Sequence, residues 1–388
     1  MDPLLIVALA AALIAGTVAS LLVPPVVRLA EILRSLDRPT ETGERKSVQA
    51  TAVPRLGGVA IASGLAAGGL VGLMAGWNEW GLIIPRPELV TLPIAAGLVF
   101  LVGLIDDLFG VSPAKKFLVQ FIAAWLLVRV GWSFTELNLP FFGEIHLGVW
   151  GSVVSLLWVV GVTNAINLID GLDGLAGGVA AIISASLLAY ALLQHNQGSV
   201  ILLAGMFGAC IGFLRHNWQP ARVFMGDSGS LTLGFLLGAT ALHSAMKAPA
   251  AVAILVPILA LGLPIIDTLL VMVVRFVEGD GATLGRRISR MFRGDRQHLH
   301  HLLSDLATRH QRVVGWLYLI VVLFCGAALS VAVTGQGWLG LVLLIVEIAV
   351  VIAMRQLGLV RRVRALAAER VDDLRLSRPG WLRKDDEK

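Results

Sequence analysis

Uncharged apolar stretches of about 17 to 25 residues alternate with short polar segments along nearly the whole chain, which is the length a helix needs to cross a bilayer. Eleven such stretches are centred near Ala15, Gly68, Val99, Ala124, Trp158, Ser184, Ala209, Gly238, Leu263, Val322 and Val346, the last of them carrying one charge, Glu347. Most show no strand-like alternation and are rich in Leu, Val, Ala and Gly. In lipid each backbone polar group must be paired within its own segment, so these stretches predict helices. The expected fold class is all-α: a polytopic integral membrane protein with about 11 transmembrane helices. The first stretch, Leu4 to Val27, is uncharged and too long for a signal-peptide core, so it is expected to stay in the mature protein. Residues 1–358 form the expected membrane domain, and 359–388 a basic tail.

Composition supports this class. Of the 388 residues, 57% are hydrophobic and only 15% charged, against roughly a quarter charged in a soluble domain. The 42 glycines suit close helix contact. Cys210 and Cys325 lie in separate apolar runs, with neither metal-type nor disulfide-type spacing. The basic residues set the orientation: 28 of the 31 Lys and Arg fall on one side of the predicted spans, and the other side has only Arg86, Arg129 and Lys247. The positive-inside rule then puts the N-terminus outside and the C-terminus in the cytoplasm. The tail, from Arg355 through Arg361, Arg362 and Arg364, reads as a membrane-surface helix or a solvated orientation signal, without chemistry of its own. The lipid bilayer is the expected partner, and no nucleic acid.

Polar residues grouped at membrane depth are costly, and such groups mark function. Here they all fall on predicted cytoplasmic segments: 28–55, 105–116, 164–178, 215–230 and 275–312. Asp106 and Asp107 end an apolar run, with Lys115 and Lys116 about two helical turns on; carboxylates for a divalent cation and ammonium groups for phosphate suit each other there, although interfacial solvation is the simpler reading of an Asp pair alone. Asn164, Asn167, Asp170 and Asp173 lie within ten positions, with Gly171 and Gly174 after the two aspartates, a pattern for an oxygen-lined cavity. In Met225-Gly226-Asp227-Ser228-Gly229-Ser230, a carboxylate sits beside free backbone donors at a predicted helix start, as a phosphate or metal-bound pyrophosphate would require; an N-cap explains only one residue of that string. The last loop holds His298, His300 and His301 downstream of Arg286, Arg287, Arg290, Arg293 and Arg296. Cations closing over an anionic substrate fit that loop better than a zinc site, which would want further ligands. Arg45 and Lys46 precede Pro54-Arg55-Leu56-Gly57-Gly58 in the first loop and could meet a lipid phosphate at the interface.

Taken together and in order, Asp106-Asp107, the run Asn167 to Asp173 followed by Gly-Leu-Ala, Met225-Gly226-Asp227-Ser228-Gly229-Ser230-Leu231 and His298-Leu299-His300-His301 resemble the polyprenyl-phosphate N-acetylhexosamine-1-phosphate transferases, glycosyltransferase family 4. The resemblance spans roughly residues 30 to 305. The HxHH form is similar to the branch that initiates O-antigen, common-antigen and teichoic acid polymers, rather than the peptidoglycan branch with three consecutive histidines. It implies a UDP-N-acetylhexosamine donor (N-acetylglucosamine by default), an undecaprenyl or related polyprenyl phosphate acceptor, Mg²⁺ with Mn²⁺ as substitute, release of UMP, and an active site on the cytoplasmic face of the inner membrane. By the same resemblance, Asp227 with Asp107 holds the metal, Asp106 and Asp107 are the essential pair, and Asp170 and Asp173 a second acidic pair. Asn217 contacts the nucleotide, and the histidines belong to a substrate-closing loop. Relatives suggest a homodimer. Two departures stand out: Gln49 where relatives often carry His, and Leu302 where an Arg usually follows the last histidine.

The implied reaction is a phosphoryl transfer, in which acceptor phosphate attacks the donor's β-phosphorus and UMP leaves; Asp106 or Asp107 could act as general base, direct attack is expected, and a two-step route through an aspartyl-phosphate is the alternative. A transporter is the alternative class. It predicts polar residues near the bilayer midplane and matching halves, and no such halves are visible. Asp267, beyond Pro264 in the ninth stretch, is the one deep carboxylate, for which a polar group on a neighbouring helix is the expected partner.

Overall fold

The computed structural model describes residues 2–37, 52–77, 86–139, 143–247, 252–277, 298–304 and 310–376. Its helices are α1 (Pro3–Ile32), α2 (Gly57–Trp77), α3 (Arg86–Phe109), α4 (Pro113–Arg129), α5 (Val149–Leu168), α6 (Leu175–Leu193), α7 (Gln197–Asn217), α8 (Gly226–Lys247), α9 (Leu255–Ala260), α10 (Gly262–Val277), α11 (Leu299–Ser304), α12 (His310–Thr334) and α13 (Gly337–Leu376). The chain is thus an all-α, multi-pass membrane protein. Each expected centre falls on a helix, and nine helices among the described residues are long and apolar enough to cross a membrane. The other two stretches are shorter. α4 has 17 residues, and the ninth stretch, expected as one helix, is split at Leu261 into α9 and α10. Pro264 has no N–H to offer the carbonyl of Ala260, which favours a new helix start there.

Two small antiparallel ribbons depart from the all-helical expectation. β1 (Leu36–Asp37) pairs with β2 (Val53–Pro54), and β3 (Glu136–Leu139) with β4 (Gly143–His146). The first positions the site, because it ties the end of α1 to the start of α2.

Helix α8 is the most enclosed span, with 94% of its apolar window buried. Side chains on the outer helices point away from the protein: Leu13 and Leu21 on α1, Leu323 on α12 and Ile345 on α13 are all largely exposed. In a membrane that surface meets acyl chains. Because lipid tails are as apolar as the side chains, helix association rests on close packing. On α7, a Cβ at Gly208 would lie 1.9 Å from the carbonyl oxygen of Ala12, and one at Gly212 would lie 2.0 Å from that of Gly16. The α1 and α7 backbones therefore touch, which only glycine at these positions permits.

Candidate active site

The C-terminal end of α3 and the N-terminal end of α8 are bolted together by one carboxylate. Asp107, 8% exposed, accepts at Oδ1 from the backbone N–H of Asp227 at 2.8 Å, and at Oδ2 from the backbone N–H of Ser228 at 3.0 Å and from the Ser228 hydroxyl. The first N–H groups of a helix have no intrahelical acceptor, so a side chain from another helix does the work of an N-cap here. Gly226 opens α8 at φ +71, and a Cβ there would sit 2.1 Å from the Arg55 carbonyl oxygen and 2.5 Å from Oδ2 of Asp107. The start of α2 docks on the same strand of chain: Phe224 N–H donates to Pro54 O at 2.7 Å, Gly57 N–H to Phe224 O at 3.0 Å and Gly58 N–H to Met225 O at 2.8 Å. The Pro-Arg-Leu-Gly-Gly and Met-Gly-Asp-Ser strings are two sides of one joint.

This joint brings Asp106, Asp107 and Asp227 together, with one ligand oxygen from each lying within 4.8 Å of the others. Lys116, at the start of α4, places its Nζ 2.7 Å from Oδ2 of Asp227 and 3.4 Å from Oδ1 of Asp106. Asp106 also accepts from Val111 N–H at 2.7 Å. An ammonium already balances these carboxylates, so the position is built for positive charge. The all-oxygen donor set suits a hard cation such as Mg²⁺ or Mn²⁺. Asp107, expected as a metal ligand, has both oxygens engaged by the start of α8. Asp106 and Asp227 are the two that share Lys116.

The end of α5 and the loop from it to α6 close the site from another side. Asn167 donates to the Ser230 hydroxyl at 2.8 Å, and Ser230 in turn donates to Gly226 O at 2.9 Å. Asp173 accepts from Ala221 N–H at 3.0 Å. Burial, and then the negative charge of Asp227, push the Asp170 carboxyl up to about 7, and Arg55 opposes them. Asp170 therefore shares the electrostatic environment of the first cluster.

Two asparagines expected to contact substrate have protein partners. Asn217, 3% exposed, accepts from Gly174 N–H at 3.0 Å and donates to Val223 O at 2.7 Å, so it braces two site loops against each other. The Asn164 amide donates to Gln120 Oε1 at 2.6 Å and to Val160 O at 2.7 Å. Lys115 is exposed beside its engaged neighbour. Arg45, Lys46 and Arg296 lie outside the described residues.

The histidines sit on α11 and the residue before it. His300 packs on the acidic loop: a Cβ at Gly171 would lie 2.2 Å from its Nε2. Burial, then the neighbouring His301 and His298, hold the His300 imidazole well below its ordinary pKa, so it is neutral at pH 7. The His301 ring lies 4.1 Å from that of His300. His298 is tied elsewhere. Its Nδ1 is 2.9 Å from Oδ2 of Asp267 on α10, whose Oδ1 accepts from Leu299 N–H at 3.0 Å and from Arg355 of α13 at 3.1 Å. Asp267 thus has polar partners on neighbouring segments, as the sequence suggested, but it is not the one deep carboxylate, because Glu347 within the α13 span is also 2% exposed. Arg355 corrects the reading of the tail: counted with its basic residues as part of a membrane-surface helix or orientation signal, it is 6% exposed and paired inside the protein. Tyr318 of α12, unmarked in the sequence, donates to Gly174 O at 2.6 Å. An isolated Tyr in an apolar span carries no pattern that would have revealed it.

The family model described as glycosyl transferase family 4 matches residues 89–245, from α3 to α8. A protein of Bacillus subtilis named probable undecaprenyl-phosphate N-acetylglucosaminyl 1-phosphate transferase is 31% identical over 342 residues, covering 87% of this chain and 88% of its own. The chain belongs to glycosyl transferase family 4. Other relatives in this family include a decaprenyl-phosphate N-acetylglucosaminephosphotransferase of Mycolicibacterium smegmatis, 31% identical over 82% of this chain and 81% of its own. A phospho-N-acetylmuramoyl-pentapeptide-transferase of Desulforudis audaxviator is 34% identical over 85% of this chain and 98% of its own. The matched family 4 segment contains all five site aspartates, whereas Asp267, the histidines and Arg355 lie beyond it.

Proposed function

We propose that this chain transfers N-acetylglucosamine-1-phosphate from UDP-N-acetylglucosamine to undecaprenyl phosphate, releasing UMP, as the first membrane step of a cell-envelope polysaccharide or teichoic acid. The observation that carries this reading is the Asp106, Asp107 and Asp227 cluster with Lys116 inserted, set where the ends of several membrane helices meet. A phosphoryl transfer between two polyanions asks the protein mainly to position them and neutralise their charge. The names of the relatives support the donor and acceptor classes. The excess of Lys and Arg on this side supports a cytoplasmic face of the inner membrane.

In the proposed reaction an acceptor phosphate oxygen bonds to the β-phosphorus of the donor, the bond from that phosphorus to the bridging oxygen breaks, and UMP departs with that oxygen. Asp106 and Asp227 would hold Mg²⁺, which supplies Lewis-acid polarisation of the pyrophosphate when bound. Asp107 keeps Asp227 in register, Lys116 adds positive charge, and Asp170 can hold or release a proton near neutral pH. The acceptor phosphate is largely ionised at that pH and needs little activation, which favours direct attack over a covalent enzyme intermediate.

The test is transfer of radiolabel from UDP-N-acetylglucosamine to undecaprenyl phosphate by purified protein in detergent with Mg²⁺. Labelled lipid from the wild type and its loss in Asp227→Ala are expected. No product from any UDP-N-acetylhexosamine would overturn the reaction, and an unimpaired Asp227→Ala would overturn the site.

A further inference from the structure

Among the buried charged residues that the site described above does not use, three come together: Asp267, Arg355 and the far side of His298. They are 2%, 6% and 3% exposed, and they come from α10, α13 and the residue preceding α11. Asp267 accepts from three donors, the His298 imidazole, the Leu299 backbone N–H and the Arg355 guanidinium. Burying a carboxylate and a guanidinium among membrane helices is a poor way to gain stability, since an apolar set of similar volume does as well or better. The arrangement makes sense if the carboxylate orders something that functions.

What it orders is the histidine segment. An acceptor-only carboxylate opposite Nδ1 means that Nδ1 carries the proton, and the Leu299 N–H bond to the same carboxylate fixes the backbone behind the ring. The other ring nitrogen, Nε2, is buried and has no hydrogen-bond partner among the described residues. Most buried polar side-chain atoms have a partner, and this nitrogen lacks one, as do both ring nitrogens of the neighbouring His300. One nitrogen held by a carboxylate and the other left open is the arrangement of an imidazole prepared for a ligand. The ring lies 6.1 Å from that of His300, in near-parallel stacking, and His300 rests on Gly171 beside Asp170. A direct chain of contact therefore runs from Arg355 to the acidic loop.

We propose that Asp267 is a positioning residue of the transfer reaction: it fixes His298 in the Nδ1-protonated tautomer, which leaves the unprotonated Nε2 as a hydrogen-bond acceptor for a hydroxyl or N–H of the substrate, and Arg355 of α13 holds Asp267 in place. This rests on the transferase reading given above. Asp267 and Arg355 need not touch substrate; they act through His298.

The test is a mutant cycle on purified protein: Asp267→Asn, His298→Ala, the double variant, and Arg355→Gln with and without His298→Ala. Asp267→Asn is expected to lower kcat about 10- to 100-fold, the effect of losing one buried charge-assisted hydrogen bond, with KM for UDP-N-acetylglucosamine within about twofold of wild type. Once His298 is gone, neither Asp267→Asn nor Arg355→Gln should cost anything more. Full kcat in both Asp267→Asn and Arg355→Gln, or the same fold-loss in the His298→Ala background, overturns the inference. If Asp267→Asn does not elute as a monodisperse peak, Arg355→Gln carries the same cycle. The wild type separates this from failure of the transferase reading, since an inactive wild type sinks that reading. NMR of ¹⁵N-histidine-labelled protein still decides the geometry: the signal lost in His298→Ala must report a protonated Nδ1 and must move in Arg355→Gln.

Discussion

Replacing Gly103 with alanine adds one methyl group to the inner face of α3, one turn before the aspartate pair. That methyl would lie 2.6 Å from the carbonyl oxygen of Asp227 and 2.6 Å from the Cα of Ser228. Both are main-chain atoms, so no rotamer change relieves the contact, and ordinary contact begins at 3.4 Å. α3 and the start of α8 must therefore separate by about 0.8 Å at the point where Asp107 binds the Asp227 and Ser228 N–H groups. A misplacement of about 1 Å at a reacting centre costs on the order of 100-fold in rate, equivalent to about 2.7 kcal/mol in the barrier. The expected result is Gly103→Ala protein that still extracts and folds, with kcat for lipid-linked sugar down about 100-fold. Gly97 is the control, because it lies on the same helix with nothing within 4 Å of the added Cβ; its alanine variant should transfer like wild type. Gly103→Ala at wild-type rate would mean that the α3–α8 joint does not set the carboxylate geometry, and the account of the site would fall with it.

Asp107→Ala should lower both activity and Tm, because it strands donors of Asp227 and Ser228, at about 1–3 kcal/mol for each buried unsatisfied group. Asp106→Ala should abolish transfer with a smaller change in Tm, and thermal unfolding in detergent separates the two. Lys116→Met removes the ammonium that competes for Asp227, so Mg²⁺ titration of the transfer rate should give a lower half-saturating concentration together with a reduced maximum. Because burial and then the Asp227 charge raise the Asp170 carboxyl from 3.8 to about 7, the folded chain keeps a proton there that the unfolded chain has released. Stability in EDTA should then fall as pH rises between about 4 and 7 and level off above; Asp170→Asn should flatten that slope in Tm against pH. Tyr318→Phe loses its bond to Gly174 O and should cost about 1 kcal/mol in denaturant unfolding.

The membrane topology was legible because a span has to be apolar for its whole length, and each of the eleven stretches became helix. The break at Leu261 was harder to see: Pro257, Gly262 and Pro264 are tolerated in membrane helices, so they mark a weak point without requiring a break. The site was legible to the extent that its chemistry is concentrated in short strings. Asp107 and Asp227 are 120 positions apart in sequence, and nothing in either string says that one caps the helix of the other. That relation depends on Gly58, Gly103 and Gly226 letting three backbones meet, and glycine is too common here for those three to stand out. Arg355 was misread for a related reason. It sits at the start of a basic run, where sidedness explains every cation equally well, and only the packing of α13 against α10 distinguishes it.

Polar residues at membrane depth have two ways to be satisfied, and the two imply different roles. Asn217 has both ends of its amide bonded to backbone, and those two bonds hold site loops together whether or not its second N–H and second lone pair meet a substrate. His298 has one nitrogen held and the other buried and open, and the cost of that open nitrogen is recovered only when a ligand meets it. The two residues look alike in sequence, each a polar residue in a motif on the same side of the membrane. The bonds already made separate them: substitution of Asn217 releases two backbone groups and should be felt first in stability, and substitution of His298 first in turnover.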